Sequence, residues 1–262
     1  MKVIDSFSFF NEFEILKLRI EYLKDIVDTF VIVESNYTYS GDPKPYYLDQ
    51  IIHELPREKI VSIHYEPDIS SLTFGRSNLD MTSDFWKLER SQRQYITDHL
   101  DQFNPDDLFM VSDVDEIPNK DLIKHIKSHN VPQDFCASVE CEMFYYNFAT
   151  KMNCEWRGTV ISTIQNAKEK GCDYFRANRN DIQAYRKGGW HFSYFGDVNR
   201  IQHKIKSFAH QEFNTSQINN SQNIIDAIQN KKDLLQRGET FIDYSFDNFP
   251  DDLKDAIVTV FR

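Results

Sequence analysis

A short apolar segment that ends in a cluster of acids constrains this chain more than any other feature. Residues 108–111 are apolar and uncharged, which is typical of a buried β-strand. Asp113, Asp115 and Glu116 follow at once, and Pro118 stops a hydrogen-bonded ladder from continuing. In open α/β sheets, ligands bind beyond the carboxyl ends of the parallel strands. The segment therefore predicts an α/β sheet with a ligand site at the tip of this strand.

The acids at the strand tip need a partner of opposite charge. Carboxylates this close repel one another unless a cation joins them, and oxygen ligands suit a hard divalent ion such as Mn²⁺ or Mg²⁺. Such an ion commonly holds phosphates, so Asp113 and Asp115 are candidate ligands of a metal that binds a nucleotide. Acid-x-acid triplets also arise by chance in a chain with 41 Asp and Glu residues. The position between an apolar strand and a proline favours the functional interpretation.

Length and composition place the chain among folded globular proteins. Its 262 residues are 40% hydrophobic, which is enough for one α/β domain with a sizeable core. A formal charge of −11 argues against a general surface for nucleic acid or an anionic membrane, and leaves room for a local basic pocket. The four cysteines show no C-x-x-C spacing, so no zinc site is predicted.

The chain shows no targeting or membrane segment, no internal repeat and no low-complexity linker. We therefore expect no membrane span and a cytoplasmic location, with a trimmed Golgi-lumen domain as the alternative. We also expect a single domain over residues 1–262. Within it, the nucleotide-binding part covers about 1–130 and the acceptor-side part about 131–262.

The order of predicted elements supports an α/β fold. They are a strand within 2–10, a helix over 11–27, a strand at 30–33, a helix–strand pair over 49–64, a helix over 84–103, the acid-tipped strand, and a helix capped by Asn119. Strands separated by helices predict a mostly parallel central sheet that is flanked by helices. Aromatic and β-branched residues over 135–148 and 158–165 predict an added antiparallel part, and the chain beyond 198 is expected to be mainly helical.

Histidines are the next candidates for the metal. His191 lies in a glycine-bounded aromatic segment, and imidazole at the metal would favour Mn²⁺ over Mg²⁺. A histidine that is hydrogen-bonded within an aromatic core is an equally open interpretation. His203 and His210 lie on a polar stretch and are interpreted as surface histidines.

Basic residues and one further acid are candidates for contacts to a nucleotide. Lys204 and Lys206 follow His191 and would neutralise a diphosphate leaving group, with Arg90 and Arg93 as alternatives. Glu34 ends the second predicted strand, where acids accept hydrogen bonds from a ribose or base in nucleotide-binding sheets. The chain contains neither G-x-x-x-x-G-K-[ST] nor G-x-G-x-x-G, which excludes the standard phosphate-loop and dinucleotide fingerprints.

Several blocks in the right order resemble glycosyltransferase family 17. They lie at residues 10–16, 27–36, 41–45, 106–107, 112–118 and 189–193. The resemblance implies a GT-A-like α/β fold and a metal-dependent nucleotide-sugar donor, UDP-N-acetylglucosamine in the characterised case. It also implies inversion at the anomeric carbon and places the D-x-D role on Asp113 and Asp115.

Together, these inferences predict a metal-dependent inverting glycosyltransferase that moves N-acetylglucosamine or a related hexose from a UDP-sugar to a glycan hydroxyl. Mn²⁺ or Mg²⁺ is expected on Asp113, Asp115 and His191, where it would stabilise the departing UDP. Two other functions stay open. One is a nucleotidyltransferase that acts on a sugar phosphate, and the other is a non-catalytic carbohydrate-binding module that uses calcium.

An inverting transfer also needs a carboxylate that takes the proton of the acceptor hydroxyl. We predict Glu212 for this role, because it lies shortly after the His191 segment and is not committed to the metal. Glu116 and Glu142 are rival candidates.

Overall fold

The computed structural model of the chain describes residues 1–75 and 82–262. Within these ranges, nine strands form one sheet. The strands are β1 (Val3–Ser8), β2 (Thr29–Ser35), β3 (Ile60–Tyr65), β4 (Leu108–Asp113), β5 (Glu116–Pro118), β6 (Cys136–Tyr145), β7 (Thr150–Thr163), β8 (Ala184–Ser193) and β9 (Phe241–Asp243). The helices are α1 (Phe13–Leu23), α2 (Leu48–Ile51), α3 (Asp84–Tyr95), α4 (Lys120–Lys127), α5 (Ile164–Lys170), α6 (Cys172–Asn178), α7 (Val198–Ser207), α8 (Ser221–Gln229) and α9 (Asp251–Val260).

The sheet has a parallel half and a mixed half. Strands β3, β2, β1 and β4 lie side by side and are all parallel, with Ser8 of β1 opposite Asp113 of β4. The order then continues through β7, β6, β8 and β5, where three of the four pairings are antiparallel and β6 runs parallel to β8. The predicted α/β class, a mostly parallel central sheet with an added antiparallel part, is confirmed.

Hydrophobic clusters cover both faces of the parallel half. Val3 and Phe7 of β1 pack with Leu16 of α1 on one face, while Ile4 packs with Phe175 of α6 on the other. This alternation follows from the two-residue period of a strand. Each fully buried side chain of this size contributes roughly 1.5–3 kcal/mol, so burial on both faces holds the strand tips in place.

One predicted helix is shorter than expected. Residues 84–103 form α3 and then a 3₁₀ turn over Thr97–Gln102 instead of one continuous helix. The His99 side chain lies 3.0 Å from the carbonyl oxygen of Tyr95 through Nδ1, at the acceptor that a continuing α-helix would use. The prediction of a single helix was wrong at this point.

Two smaller features complete the comparison with the sequence. The Asn119 side chain accepts a hydrogen bond of 2.7 Å from the backbone N–H of Asp121, so the predicted N-cap of α4 is confirmed. Strand β9, which pairs with β7, was not predicted, because three residues are too few to show a period.

No helix in the described ranges has the length and apolar character needed to cross a bilayer. The division near residue 130 into nucleotide-binding and acceptor-side parts stays a prediction.

Candidate active site

A cleft of about 300 Å³ opens at the carboxyl ends of β1 and β4. Ser8 and Asp113 reach it from these two strands, His191 from β8, and Lys204 from α7. Helices α3 and α6 supply the opposite wall, which includes Arg93 and two further arginines of the α6 region. The structure therefore brings together six of the candidate residues that the sequence singled out for a metal or a nucleotide: Arg90, Arg93, Asp113, Asp115, His191 and Lys204.

A buried arginine fixes the turn that carries the acids. The Arg19 side chain is fully buried and forms a bidentate pair with Asp5, with N–O distances of 2.6 and 2.8 Å. Its remaining N–H groups donate to Ser112 Oγ at 2.7 Å and to three backbone carbonyls of the turn that joins β4 to β5. Because these donors all point at one segment, Arg19 sets the direction in which the acidic side chains leave the turn.

Asp113 is held by two arginines. Its carboxylate lies 2.5 Å from Arg176 and 3.4 Å from Arg93. Burial by itself would raise the pKa of Asp113, but the charges of Arg176 and Arg93 outweigh it and the pKa is lowered. Asp113 is therefore ionised and already neutralised by protein groups.

Glu116 lies next to Asp113 and Arg176 and is fully buried. It accepts hydrogen bonds of 2.7 Å from both Arg176 and the Trp156 indole, and one of 3.0 Å from the Asp113 backbone N–H. A side chain at Gly158 would come within 2.7 Å of the Glu116 carboxyl carbon, so glycine leaves the space that Glu116 occupies. As a candidate base Glu116 is misplaced, because it does not line the cleft and its oxygens are engaged.

Asp115 has different partners. Lys204 Nζ lies 3.0 Å from one carboxylate oxygen, and His191 Nε2 lies 3.4 Å from the other. Burial by itself would raise the pKa of Asp115, but the interactions with Lys204 and His191 together outweigh it and the pKa is lowered. Lys204 in turn lies 3.6 Å from Glu12, and these acids raise its pKa despite burial. Lys204 is thus a permanent cation in the cleft, and its role beside a diphosphate stays a prediction.

His191 sits opposite Glu116 in the β5–β8 ladder, with its ring centre 5.1 Å from that of Trp156. Its side chain is 8% exposed, and Nδ1 is buried without a hydrogen-bond partner in the described part of the chain. A buried ring nitrogen without a partner costs free energy, roughly 1–3 kcal/mol, which a ligand at this position would offset. The same ring lines the cleft.

The predicted metal ligands do not form a complete set. In residues 1–75 and 82–262, no group of three His, Cys, Asp or Glu side chains is placed to hold an ion by itself. Asp113 pairs with two arginines and Asp115 with Lys204, while Asp115 and His191 lie next to each other and both reach the cleft. One carboxylate and one imidazole fit an ion that completes its coordination with the phosphates of a ligand.

Two residues that were predicted to contact the nucleotide lie outside the cleft lining. Glu34 is fully buried and accepts from Lys44 at 2.5 Å and from the backbone N–H groups of Tyr47 and Leu48 at 2.7 and 2.8 Å. It fixes the 44–48 loop and does not line the cleft, so it is not placed to hold a ribose or base. Lys206 is exposed on the far side of α7 and does not line the cleft either.

The predicted base, Glu212, does not line the cleft, but it contacts a residue that does. His210 Nδ1 lies 2.6 Å from Glu212 Oε1, and the His210 ring is among the lining groups. The rival Glu142 pairs with Lys151 at 2.5 Å and lies outside the cleft lining. The His210 side chain is 39% exposed, in keeping with the surface histidine that the sequence predicted, and the surface that it faces is the cleft.

Arg176 and Arg179 were not singled out from the sequence. They lie three residues apart at the end of α6, and both approach the Trp156 ring, at 5.7 and 5.3 Å. The signal that was available is this spacing, which places two arginines on one side of a helix. Arg90 and Arg93, which were considered as alternatives, also line the cleft.

Comparisons with known proteins identify the family of the chain. A sequence profile of glycosyltransferase family 17 matches residues 1–255. The β-1,4-mannosyl-glycoprotein 4-β-N-acetylglucosaminyltransferases of Rattus norvegicus and Homo sapiens are each 30% identical over 140 residues, which is 49% of this chain. The match covers 24% of each relative, so this chain spans about a quarter of their length.

A solved structure of the galactosyltransferase LgtC, bound to donor and acceptor sugar analogues, overlaps with 81% of this chain and 80% of its own. The TM-score is 0.36 and the identity 8%, values too low to add to the topology described above. The profile match spans nearly the whole sequence and includes the acid-bearing turn, β8 and α7. The chain belongs to glycosyltransferase family 17.

Proposed function

We propose that the cleft binds a nucleoside diphosphate sugar and that the protein transfers this sugar to a hydroxyl group of a glycan. One observation carries the proposal: seven Lys or Arg side chains but only five Asp or Glu side chains line the cleft, in a chain of charge −11. A local excess of cations inside an acidic protein selects an anionic ligand, and a diphosphate supplies two adjacent negative groups. Family membership supplies the reaction class.

The donor in this proposal is UDP-N-acetylglucosamine. The relatives are named as N-acetylglucosaminyltransferases that act on mannosyl glycoproteins. Aromatic side chains such as Trp86 and Trp156 line the cleft and offer apolar faces for a base and a pyranose ring. A mannose-containing glycan is the proposed acceptor.

A divalent ion fits this scheme in part. Asp115 and His191 would hold Mn²⁺, which would act as a Lewis acid toward the leaving diphosphate. Imidazole as a ligand favours Mn²⁺ over Mg²⁺.

Positively charged side chains of the protein would also stabilise the negative charge that develops on the leaving diphosphate. Lys204 lies beside Asp115, and its charge would face the β-phosphate as negative charge develops there. Arg90 lines the same cleft and is exposed, so it is free to follow a nucleotide that enters. Arg93 is already hydrogen-bonded to Glu89 and Asp173, and we assign it a supporting role.

Transfer is proposed to invert the anomeric carbon. The acceptor oxygen attacks the face opposite UDP in a single displacement, and a protein base accepts its proton. No covalent sugar–enzyme intermediate is needed in this scheme.

Calorimetric titration with UDP, with and without Mn²⁺, tests the binding half of the proposal. We expect binding that strengthens with Mn²⁺, and release of UDP from UDP-N-acetylglucosamine in a screen that includes UDP-glucose, UDP-galactose and GDP-mannose. Proton NMR of the first sugar product reports its anomeric configuration. Sugar binding that needs calcium, without affinity for UDP, would instead support the binding module. Release of pyrophosphate from a nucleoside triphosphate would support a nucleotidyltransferase.

A further inference from the structure

We propose that His210 is the general base of the transfer reaction and that Glu212 is a positioning residue which orients its ring. The inference rests on the proposed function and deepens it, because it names the group that accepts the proton of the attacking hydroxyl.

The geometry of the His210–Glu212 pair determines which ring nitrogen of His210 carries the hydrogen. His210 Nδ1 lies 2.6 Å from Glu212 Oε1; His210 precedes the 3₁₀ turn Gln211–Phe213, and Glu212 is the middle residue of that turn. An ionised carboxylate accepts hydrogen bonds and donates none, so Nδ1 carries the hydrogen and Nε2 carries the lone pair. Nε2 has no hydrogen-bond partner among the residues that the structure describes, and the ring lines the cleft. This tautomer is the one that a general base requires.

The ring is also held from a second side. Trp86 of α3 packs edge-on against His210, with ring centres 4.7 Å apart. Both rings line the cleft, and α7, which precedes His210, carries the Lys204 that reaches Asp115. The same segment therefore connects the strand-tip acid to the proposed base.

The carboxylates of the cleft are poor alternatives. Each of the five that line it lies within 4 Å of a Lys or Arg nitrogen: Glu12, Glu89, Asp113, Asp115 and Asp173. A carboxylate in such a pair is stabilised in its ionised form and accepts a proton less readily. Glu212 has one oxygen on His210, and its other oxygen is buried without a partner in the described ranges. It is built to hold His210 and does not reach the acceptor directly.

The proposed step balances as a single displacement. The acceptor oxygen forms a bond to the anomeric carbon, and the bond from that carbon to the β-phosphate oxygen breaks, its electron pair leaving with UDP. The hydroxyl proton passes to Nε2 of His210, and the imidazolium is stabilised by the Glu212 carboxylate. The proton then passes to solvent and restores the base.

Release of UDP from UDP-N-acetylglucosamine, with water as the acceptor, tests the pair on the full chain. For His210→Gln we expect kcat to fall on the order of 100-fold or more, the usual contribution of a general base. Affinity for UDP should stay within about threefold, because His210 is not assigned to nucleotide binding. His53→Gln is the matched control, since the His53 side chain is 73% exposed and far from the cleft lining.

Glu212→Gln distinguishes orientation from mere structure. It should lower kcat roughly tenfold and move the acidic limb of the kcat–pH profile to lower pH, because the imidazolium loses its carboxylate. The other charged groups near this part of the cleft, Glu89 and Arg90 of α3 and Arg237 beside Phe213, are unchanged in this variant.

The outcomes separate the two proposals. A His210→Gln enzyme that releases UDP within threefold of the parent rate overturns the base assignment, while the parent's own activity still supports the proposed function. A parent that neither binds UDP nor releases it overturns the proposed function itself. If His210→Gln does not fold, the Glu212→Gln profile decides, and an unmoved acidic limb overturns the pair.

Discussion

The two sides of the cleft use charge in different ways. On the side formed by α3 and α6, the arginine side, Arg93 and Arg176 together satisfy Asp113, Asp173 and other acids within about 3.4 Å. On the other side, the imidazole side, His191 of β8 and His210, which follows α7, each direct one ring nitrogen toward a carboxylate. Their other ring nitrogens have no hydrogen-bond partner within residues 1–75 and 82–262.

This difference distinguishes the residues that hold the cleft in shape from the residues that can take part in the reaction. A network of paired charges is rigid, because each group loses a strong interaction if it moves. The arginine side therefore shapes the cleft, and the imidazole side offers the groups that could exchange a ligand or a proton.

The two strand-tip aspartates make the sharpest test. Asp115→Asn should lower kcat/KM at least about 1,000-fold, on the order of 4 kcal/mol, and remove the dependence of UDP binding on Mn²⁺. Asp113→Asn should retain that dependence and lower turnover much less, because Asp113 faces the arginines. Steady-state UDP release and titration of both variants give the comparison. Equal losses in the two variants would contradict the division of roles.

The second prediction concerns the support beneath the acids. Arg19→Met leaves Asp5 charged and buried without its partner, so the free energy of unfolding should fall by about 3–5 kcal/mol. Arg200→Met is the control, because the Arg200–Glu14 pair is 38% exposed on both sides and should contribute only about 0–1 kcal/mol. Urea unfolding measures both. A loss below 1 kcal/mol in Arg19→Met would show that the turn does not depend on this pair.

The sequence predicted one half of the site better than the other. The acid-tipped strand, its place in an α/β sheet and the N-cap at Asn119 depend on local patterns, so they were accessible. His191 was singled out for its glycine-bounded segment. Arg176 was missed, because only the return of the chain through β7 and α6 brings it to Glu116. Long-range pairing of this kind leaves no periodic signal in the sequence.

Glu34 shows the opposite error. The sequence correctly placed it near the end of a parallel strand, where acids bind nucleotides in other sheets. The chain then folds back, and Lys44 with two backbone N–H groups occupies both carboxylate oxygens. Position in a strand was predictable, whereas the partner that the following loop supplies was not. The partner of Glu212 was also not predicted. His210 lies only two residues away in the sequence, but it was interpreted solely as a surface residue.

The third prediction tests the imidazole side directly. In His191→Asp a hard carboxylate replaces the imidazole, so the preference for Mn²⁺ over Mg²⁺ should fall about tenfold. The ratio of the UDP-release rate with Mn²⁺ to the rate with Mg²⁺ measures this preference independently of the overall rate. His125→Asp is the control, because His125 lies on the exposed face of α4. An unchanged ratio in His191→Asp would remove His191 from the proposed metal site.

The smallest effect is expected at Glu34, a strand-tip acid outside the cleft. Burial raises the pKa of Glu34 despite the charge of Lys44, so the folded chain binds its proton more tightly than the unfolded chain does. This contribution to stability is present at low pH and is lost as pH rises from about 4.3, the ordinary glutamate value, through the folded pKa. Glu34→Gln lacks a titrating group here, so its unfolding free energy should fall less than the parent's between pH 4 and pH 7. Urea unfolding at several pH values measures the difference. A larger fall in the variant would mean that Glu34 resembles Asp113 on the arginine side, where the charges of nearby arginines lower the carboxylate pKa more than burial raises it.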